Sequence, residues 1–308
     1  SNLWANAKSD GTDIFFTDAN DEAKYAHELI SYSNGSLKAW VRLPSLDSVN
    51  GATFNMYYGN PNATPQATAS AVWTEDYVGV WHLNDNNGTI FSDSTAYNRH
   101  MYVSGTNLPT SRSAGFIDKS VTFASAPYSA LSASWIENIP YLNQQRYVSC
   151  WSNPSTIGAG QTPADNYSVM FAVGTNSAGA TVYKNFSMLR NAATFLARGN
   201  TAGYSDYGNV ANMHTAGAWN YYAAAWDGNT MAALYRNGAR VAGPSGPPNS
   251  AWNNLTNTHC YIGRETGVNV AAEGWVGSIE DVRYSYATRS LDWFWTEYQN
   301  QVYAGTTS

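Results

Sequence analysis

Residues Trp219 to Val241 read WNYYAAAWDGNTMAALYRNGARV, and this stretch decides the fold. Runs of alternating small and large residues are broken at Asp227-Gly228 and again at Asn237-Gly238, dipeptides that tolerate the positive φ angles of tight hairpin turns. The stretch therefore predicts three consecutive antiparallel strands. Side chains alternate along a strand, so Trp219, Tyr221, Ala223 and Ala225 share one face while Asn220, Tyr222, Ala224 and Trp226 share the other. Aromatic residues thus lie on both faces. One face must pack in a core. The other is either a concave platform on which sugars stack, or a surface covered by the N-terminal domain or by a partner chain.

Outward from this meander the period stays at two. Segments such as TDIFFTD, SLKAWVRL, VGVWHL, RYVSCW, YSVMFAVG and WVGSIEDVRYSY are separated by turn clusters at short intervals, the pattern of an all-β sandwich or barrel, and a β-sandwich is expected. The main helical segment is SLDWFWTEYQNQVY near the C-terminus, capped by Ser290. Composition shifts at GNPNATPQATASAVW, residues 59–73, where two prolines and a run of Ala, Thr and Ser interrupt the strands. This predicts a small β-rich domain over residues 1–60, a linker over 61–76 and a larger sandwich over 77–308. Ser1 to Asp10 holds no strand to start a sheet.

The 308 residues suffice for a substantial core without metals or many disulfides. Charged residues make up 12% and aromatics 14%, so Asn, Ser, Thr, Gly and Tyr must cover the surface, as in extracellular or cell-surface proteins. A formal net charge of -6, with 16 Lys and Arg and no basic run, gives a nucleic-acid backbone little to neutralise. No run of about 18 apolar residues occurs, so no membrane span is expected. Ser1 is not followed by the basic and then apolar sequence of a secretory signal, and an export signal is expected to have been removed or to lie outside this sequence.

From Val78 onward the chain resembles the laminin-G-like, concanavalin A-type jelly roll. VGVWHLND followed by FSDSTAYNRHM is similar to the opening strand and turn of such domains. The Trp219–Val241 meander is similar to their central strands, and YIGRE with GWVGSIEDVRYSYATRSLDWFWTEYQNQ to their closing strand and final helix. Residues 7–60, through the strings Asp-Ile-x-Phe-Thr-Asp and Met-Tyr-Tyr-Gly-Asn-Pro, resemble a small β domain of unknown function that precedes jelly rolls in bacterial and archaeal surface proteins. That family has further strands before this point, which implies either a removed upstream segment or a strand supplied by a neighbouring chain to an open edge near residues 12–17.

The jelly-roll resemblance also brings glycoside hydrolases into view. A retaining mechanism needs two carboxyl groups about 5 to 5.5 Å apart, yet strand alternation sends Glu280 and Asp281 to opposite faces, as it does Glu75 and Asp76. The five histidines serve no nucleophile elbow and have no zinc-ligand spacing. No certain cofactor is implied. Calcium is the metal that jelly-roll loops carry, and the turn from Asn84 to Asn98, with Asp85, Asp93 and Asn98, is its expected place. Asp18 to Glu22, DANDE, lacks the Gly and the later Glu of a calcium loop and reads as a hairpin turn. Cys150 and Cys260 alternate with Val148 and Ile262 and should point inward. They form either a disulfide closing a loop of roughly 110 residues, worth about 4 to 5 kcal/mol, or two buried thiols. Six Asn-x-Ser/Thr sequons, no more than this composition gives by chance, permit glycosylation.

Loop aromatics Trp135, Tyr204 and Trp252 are the expected ligand contacts. Together these readings describe a non-enzymatic extracellular, adhesin-like module that recognises a glycan or a surface protein. One alternative is a subunit of an extracellular filament, sheath or virion-like assembly, joined to further copies of itself by strand donation. A polysaccharide hydrolase is the third.

Overall fold

The computed structural model describes residues 2–33, 36–47, 49–74, 76–86, 88–105, 112–124, 129–135, 144–157, 167–174, 185–200, 204–228, 232–245, 258–265 and 273–303. The chain divides into two compact units: Ser1–Glu75 with Ser94–Ala96, and Asp76–Asp93 with Tyr97–Ser308.

The first unit opens with a short helix α1 (Asn2–Asn6), where no strand was expected. Strands β1 (Phe15–Asp18), β2 (Lys24–Tyr25), β3 (His27–Ser33), β4 (Ser36–Val41) and β5 (Phe54–Tyr57) follow, then α2 (Ala69–Val72). β1 and β2 form a hairpin across the Asp18–Glu22 turn, where the Asp18 carboxylate accepts the Glu22 N–H at 2.8 Å. The three-stranded sheet has the order β2-β1-β5, and β3 pairs with β4. β1 is therefore an internal strand, paired on both sides. The open edge expected near residues 12–17 is filled by β2 and β5 from the same chain. Its core is small: Leu3, Ile14 and Phe16, with partly buried neighbours including Tyr25, Tyr32 and Val41.

Residues 61–74, most of the stretch 61–76 set apart in the sequence as a linker, are held in this first unit. Lys8 Nζ donates to the Ala63 carbonyl, the Gln66 N–H to Thr12 and the Thr68 N–H to His27. Trp73 is buried edge-on to Trp40 and bonds Glu28 through its indole N–H. Prolines and small residues here break the period-two pattern without freeing the chain.

In the second unit the strands are, in chain order, β6 (Tyr77–Trp81), β7 (Ile90–Phe91), β8 (Met101–Gly105), β9 (Arg112–Ala114), β10 (Lys119–Phe123), β11 (Ser129–Trp135), β12 (Arg146–Pro154), β13 (Tyr167–Gly174), β14 (Asn185–Asn191), β15 (Thr194–Asn200), β16 (Tyr204–Val210), β17 (Asn220–Trp226), β18 (Ala232–Arg236), β19 (Ala239–Ser245), β20 (Thr258–Ile262) and β21 (Gly277–Ser285). The helix α3 (Leu291–Tyr303) closes it. One eight-stranded sheet runs β19-β18-β17-β12-β21-β10-β9 with β6 also on β21, and the other runs β16-β15-β14-β13-β20-β11-β8-β7. Two antiparallel sheets with one core between them make this the expected β-sandwich.

The Trp219–Val241 meander forms β17, β18 and β19, with Asn237 and Gly238 at φ 48° and 81° in the second turn. Tyr222, Ala224 and Trp226 join the core between the sheets, beside Val148, Cys150, Cys260, Ile262 and Tyr284. Each such aromatic withdraws roughly 150–250 Å² from water. The two cysteines are free thiols, so the disulfide alternative fails. Each serves as a small apolar side chain in the core: Cys150 lies 4.0 Å from the Met170 sulfur, and burial pushes both thiols up.

The opposite face of β17 is buried too. Tyr221 stacks on Phe294 of α3 and bonds the Ser149 hydroxyl at 2.9 Å, while Trp151 donates its indole N–H to Gln301. Within this sheet the second aromatic face is thus covered by the chain's own C-terminal helix, an occupant that strand periodicity could not supply.

Candidate functional site

Phe15 of β1 and Tyr57 of β5 stand directly opposite one another, and their rings stack with centroids 5.1 Å apart and planes 17° from parallel. Phe16 turns the other way and is buried in the first unit's core. Tyr57 keeps 40% of its surface exposed. The stacked pair borders a cavity of about 460 Å³, which Tyr58, Asn60, Asn62 and Thr64 help to line. Small-ligand sites span roughly 300–1,000 Å³.

The pair is held by a carboxylate at the β1–β2 turn. Asp21, in the left-handed region at φ 63°, accepts the Thr17 hydroxyl at 2.6 Å and the Asn55 amide at 3.0 Å on one oxygen, and the Tyr57 hydroxyl at 2.6 Å on the other. Thr17 and Asn55 are cross-strand partners on the same face. These donors, Thr17 first, hold the Asp21 carboxyl below its ordinary value, and the Asp21 bond raises the Tyr57 phenol. At the cavity's inner wall Asp13 is 1% exposed and accepts the N–H groups of Lys8 and Gly59 at 2.9 and 2.6 Å. Burial alone would raise its carboxyl, but those amides outweigh it and lower it. The Lys24 ammonium lies 5.5 Å from the Phe15 ring centroid and donates to Gln66 Oε1 at 2.7 Å. Each of these charged groups has a hydrogen-bond partner, and the ring of Tyr57 is held by the Phe15 stack on its face and by Asp21 at its hydroxyl.

The sequence missed this site, although a signal existed. The doublets Phe15-Phe16 and Tyr57-Tyr58 each put one aromatic on each side of a strand or its extension, and only one member of such a doublet can enter a core as small as this one.

The strands that carry two of the expected ligand contacts are apart in their sheet. Trp135 ends β11 opposite Thr258 and Tyr204 begins β16 opposite Asn200, with β15, β14, β13 and β20 between those strands. The side chains of both, and all of Trp252, lie outside the described residues. Of the expected calcium ligands, Asp93 is buried and its two oxygens take the Val80 and Arg99 N–H groups at 2.9 and 2.8 Å. Asp85 accepts the Ser92 N–H at 3.2 Å, and exposed Asn98 sits at φ 53° in the turn. Asp93 thus works as a turn staple. Among the described residues no group of three or more His, Cys, Asp or Glu side chains could hold a metal ion.

The acidic pair in β21 departs from simple alternation. Ser149 of β12 faces Arg283 and Trp151 faces Glu280, so Asp281 and Val282 together oppose Cys150, with Asp281 at φ 53°. This bulge keeps Ile279, Val282 and Tyr284 all in the core. Glu280 accepts the N–H groups of Phe116, Ile117 and Asp118, and burial pushes its carboxyl up to about 7 against those donors. Asp281 bonds His82 Nδ1 at 2.6 Å and Arg283, whose other nitrogen donates to Glu297 of α3 at 2.8 Å. Burial would raise Asp281, but Arg283 and His82 outweigh it and lower it. Both carboxylates are thus spent on holding a loop and a helix in place.

Residues 137–293, just over half of the chain, match the family model described as the concanavalin A-like lectin/glucanases superfamily. The chain belongs to this superfamily. Residues 10–98 of this concanavalin A-like protein match a domain of unknown function, DUF2341. Among solved structures it is similar to domain 4 of AbnA, an extracellular arabinanase from Geobacillus stearothermophilus solved with arabinotriose, at 16% identity and TM-score 0.53, covering 72% of this chain and 98% of that one. It is also similar to the sialidase of Trypanosoma rangeli, at 12% identity and TM-score 0.53, covering 80% of this chain and 36% of that one. A third is the binding domain of Paraclostridial Mosquitocidal Protein 1, at 11% identity and TM-score 0.53, covering 72% and 52%. At these identities the likeness is one of fold. No curated protein matches the chain. Among the described residues no helix is long and apolar enough to cross a membrane.

Proposed function

We propose that this concanavalin A-like protein is a non-enzymatic, adhesin-like recognition module that works outside the cell and binds a glycan or surface-protein ligand, with the Phe15–Tyr57 cleft as a contact site. The observation that carries this reading is the stacked, part-exposed aromatic pair beside a ligand-sized cavity, fixed in place by Asp21 before any ligand arrives. Preorganised aromatic surface binds without a large ordering cost, and the apolar faces of sugars and peptide side chains both stack on such rings. The neighbours that bind a sugar or carry a binding domain support the class of function through their shared fold. In favour of recognition over catalysis, four of the positioned acidic residues are committed: Asp13 and Glu280 to backbone amides, Asp21 to three side chains, Asp281 to Arg283 and His82. A general acid or nucleophile needs an oxygen left for the substrate.

The test is a glycan array combined with a product assay on the retained polysaccharides. Retention without released sugar is expected. Steady release of oligosaccharide would replace the recognition reading with a hydrolase. The assembly reading retains one feature, the outer edge of β5, which pairs only with β1 among the described residues and carries Phe54 and Met56 at 42% and 37% exposure. Light scattering separates the two, since recognition alone leaves a monomer.

A further inference from the structure

The cleft's own chemistry narrows the ligand. Around it stand two carboxylates, Asp13 and Asp21, and two ammonium groups, Lys8 and Lys24. Each is engaged: Asp13 by two backbone amides, Asp21 by three side chains, Lys8 by the Ala63 carbonyl and Lys24 by Gln66. Lys8 and Lys24 keep their charge on these neutral acceptors, but two ammonium groups stand against two carboxylates, so formal charge cancels among the four and no net positive charge favours a uronate, sialate or phosphate. What the wall presents to an incoming group is neutral. Asn60 spends its amide oxygen on the Asn62 N–H at 3.0 Å and keeps its NH2, while the Asn62 amide and Thr64 hydroxyl are exposed. An amide donates and accepts at once, as does a sugar hydroxyl, while the exposed face of Tyr57 offers a flat apolar surface for ring C–H groups.

We infer that the Phe15–Tyr57 cleft of the N-terminal unit is a subsite for an uncharged sugar residue, stacked on Tyr57 and hydrogen-bonded by Asn60, Asn62 and Thr64. This rests on the recognition reading above and adds the ligand class. A neutral ligand in a charge-balanced cleft gains nothing from screening or its absence, so its affinity is insensitive to salt.

The experiment is titration calorimetry of the full chain with neutral oligosaccharides (gluco-, galacto-, manno-, xylo- and arabino-oligomers) and matched uronate-bearing ones, at low and high salt. Binding of a neutral oligomer is expected, with affinity unchanged by salt and at least about tenfold above its uronate counterpart. Tyr57→Ala should remove it. Because Tyr57 also anchors the turn, the exposed Asn62→Ala variant, checked by circular dichroism for an unchanged fold, should weaken it by about tenfold. Equal or tighter binding of the uronates, or a steep loss of affinity with salt, overturns the neutral-sugar inference and leaves glycan recognition standing. Neutral binding that survives both substitutions moves the subsite out of this cleft and also overturns it. If no sugar of either class binds, both the inference and the glycan form of the proposed function fall.

Discussion

The ring of Tyr221 lies over that of Phe294, with centroids 5.4 Å apart and planes 5° from parallel. One residue sits in the second strand-face of the central meander and the other in the C-terminal helix, so this contact helps to tie the helix to the sandwich, together with Trp151–Gln301 and Arg283–Glu297. Phe294 also meets Tyr235 at 5.1 Å, and the helix begins at Ser290, whose hydroxyl accepts the Trp293 N–H at 3.1 Å.

Phe294→Ala should lower the second unit's stability by about 3–5 kcal/mol, as for other buried Phe truncations, while Ser290→Ala should cost about 1 kcal/mol as a lost N-cap. Urea unfolding followed by tryptophan fluorescence measures both. A cost for Phe294→Ala no larger than that of the cap would mean the helix is not packed on this face.

Breaking the His82–Asp281–Arg283–Glu297 chain should be costlier than its exposed counterparts. Asp281→Asn leaves Arg283 with one carboxylate partner in a buried site, and removing one member of such a pair costs about 3–5 kcal/mol. Asp281 is held below its ordinary value of 3.8, so its contribution is present above that pH and is lost as pH falls through the folded value. The variant should therefore differ most from wild type near neutrality and converge with it in strong acid, as thermal melts from pH 7 to pH 2 would record.

Glu280 behaves in the opposite sense. Its carboxyl is raised from 4.5 to about 7 in the folded chain, so the folded state holds the extra proton between those values. Stability from this group declines as pH rises from about 4.5 to about 7, by at most about 1.4 kcal/mol per pH unit. Glu280→Gln should flatten that slope, and should also destabilise the chain by about 1–3 kcal/mol, because an amide NH2 then faces backbone N–H donors.

Cys150 and Cys260 are buried thiols in opposite sheets of the core. A thiol reagent should label neither in the native chain and both after unfolding without reductant. Labelling that requires reductant would restore the disulfide.

Much of this architecture is legible in the residues. Alternation and the Asn237-Gly238 turn give the meander, and Ser290 marks the start of the last helix. Alternation also assigns Tyr222 and Tyr221 to opposite faces, but it carries no information about what covers the second one. The bulge at Asp281 escaped because period-two reading assumes an unbroken register, whereas a residue at φ 53° resets it and moves every later side chain to the other face. Residues 61–76 read as a linker since the hydrogen bonds of Ala63, Gln66 and Thr68 to Lys8, Thr12 and His27 reach 41 to 55 positions back along the chain. The cleft is non-local in the same way: Phe15 and Tyr57 meet only through the register of β1 and β5.

The central claim is that ligand recognition involves the Phe15–Tyr57 cleft, and carbene footprinting of the full chain with and without a glycan that it retains tests it most directly. Protection of Tyr57, Tyr58 and the Asn60–Thr64 segment on ligand addition is the predicted result. Protection confined to residues 97–303, with Tyr57 labelled equally in both states, would contradict it.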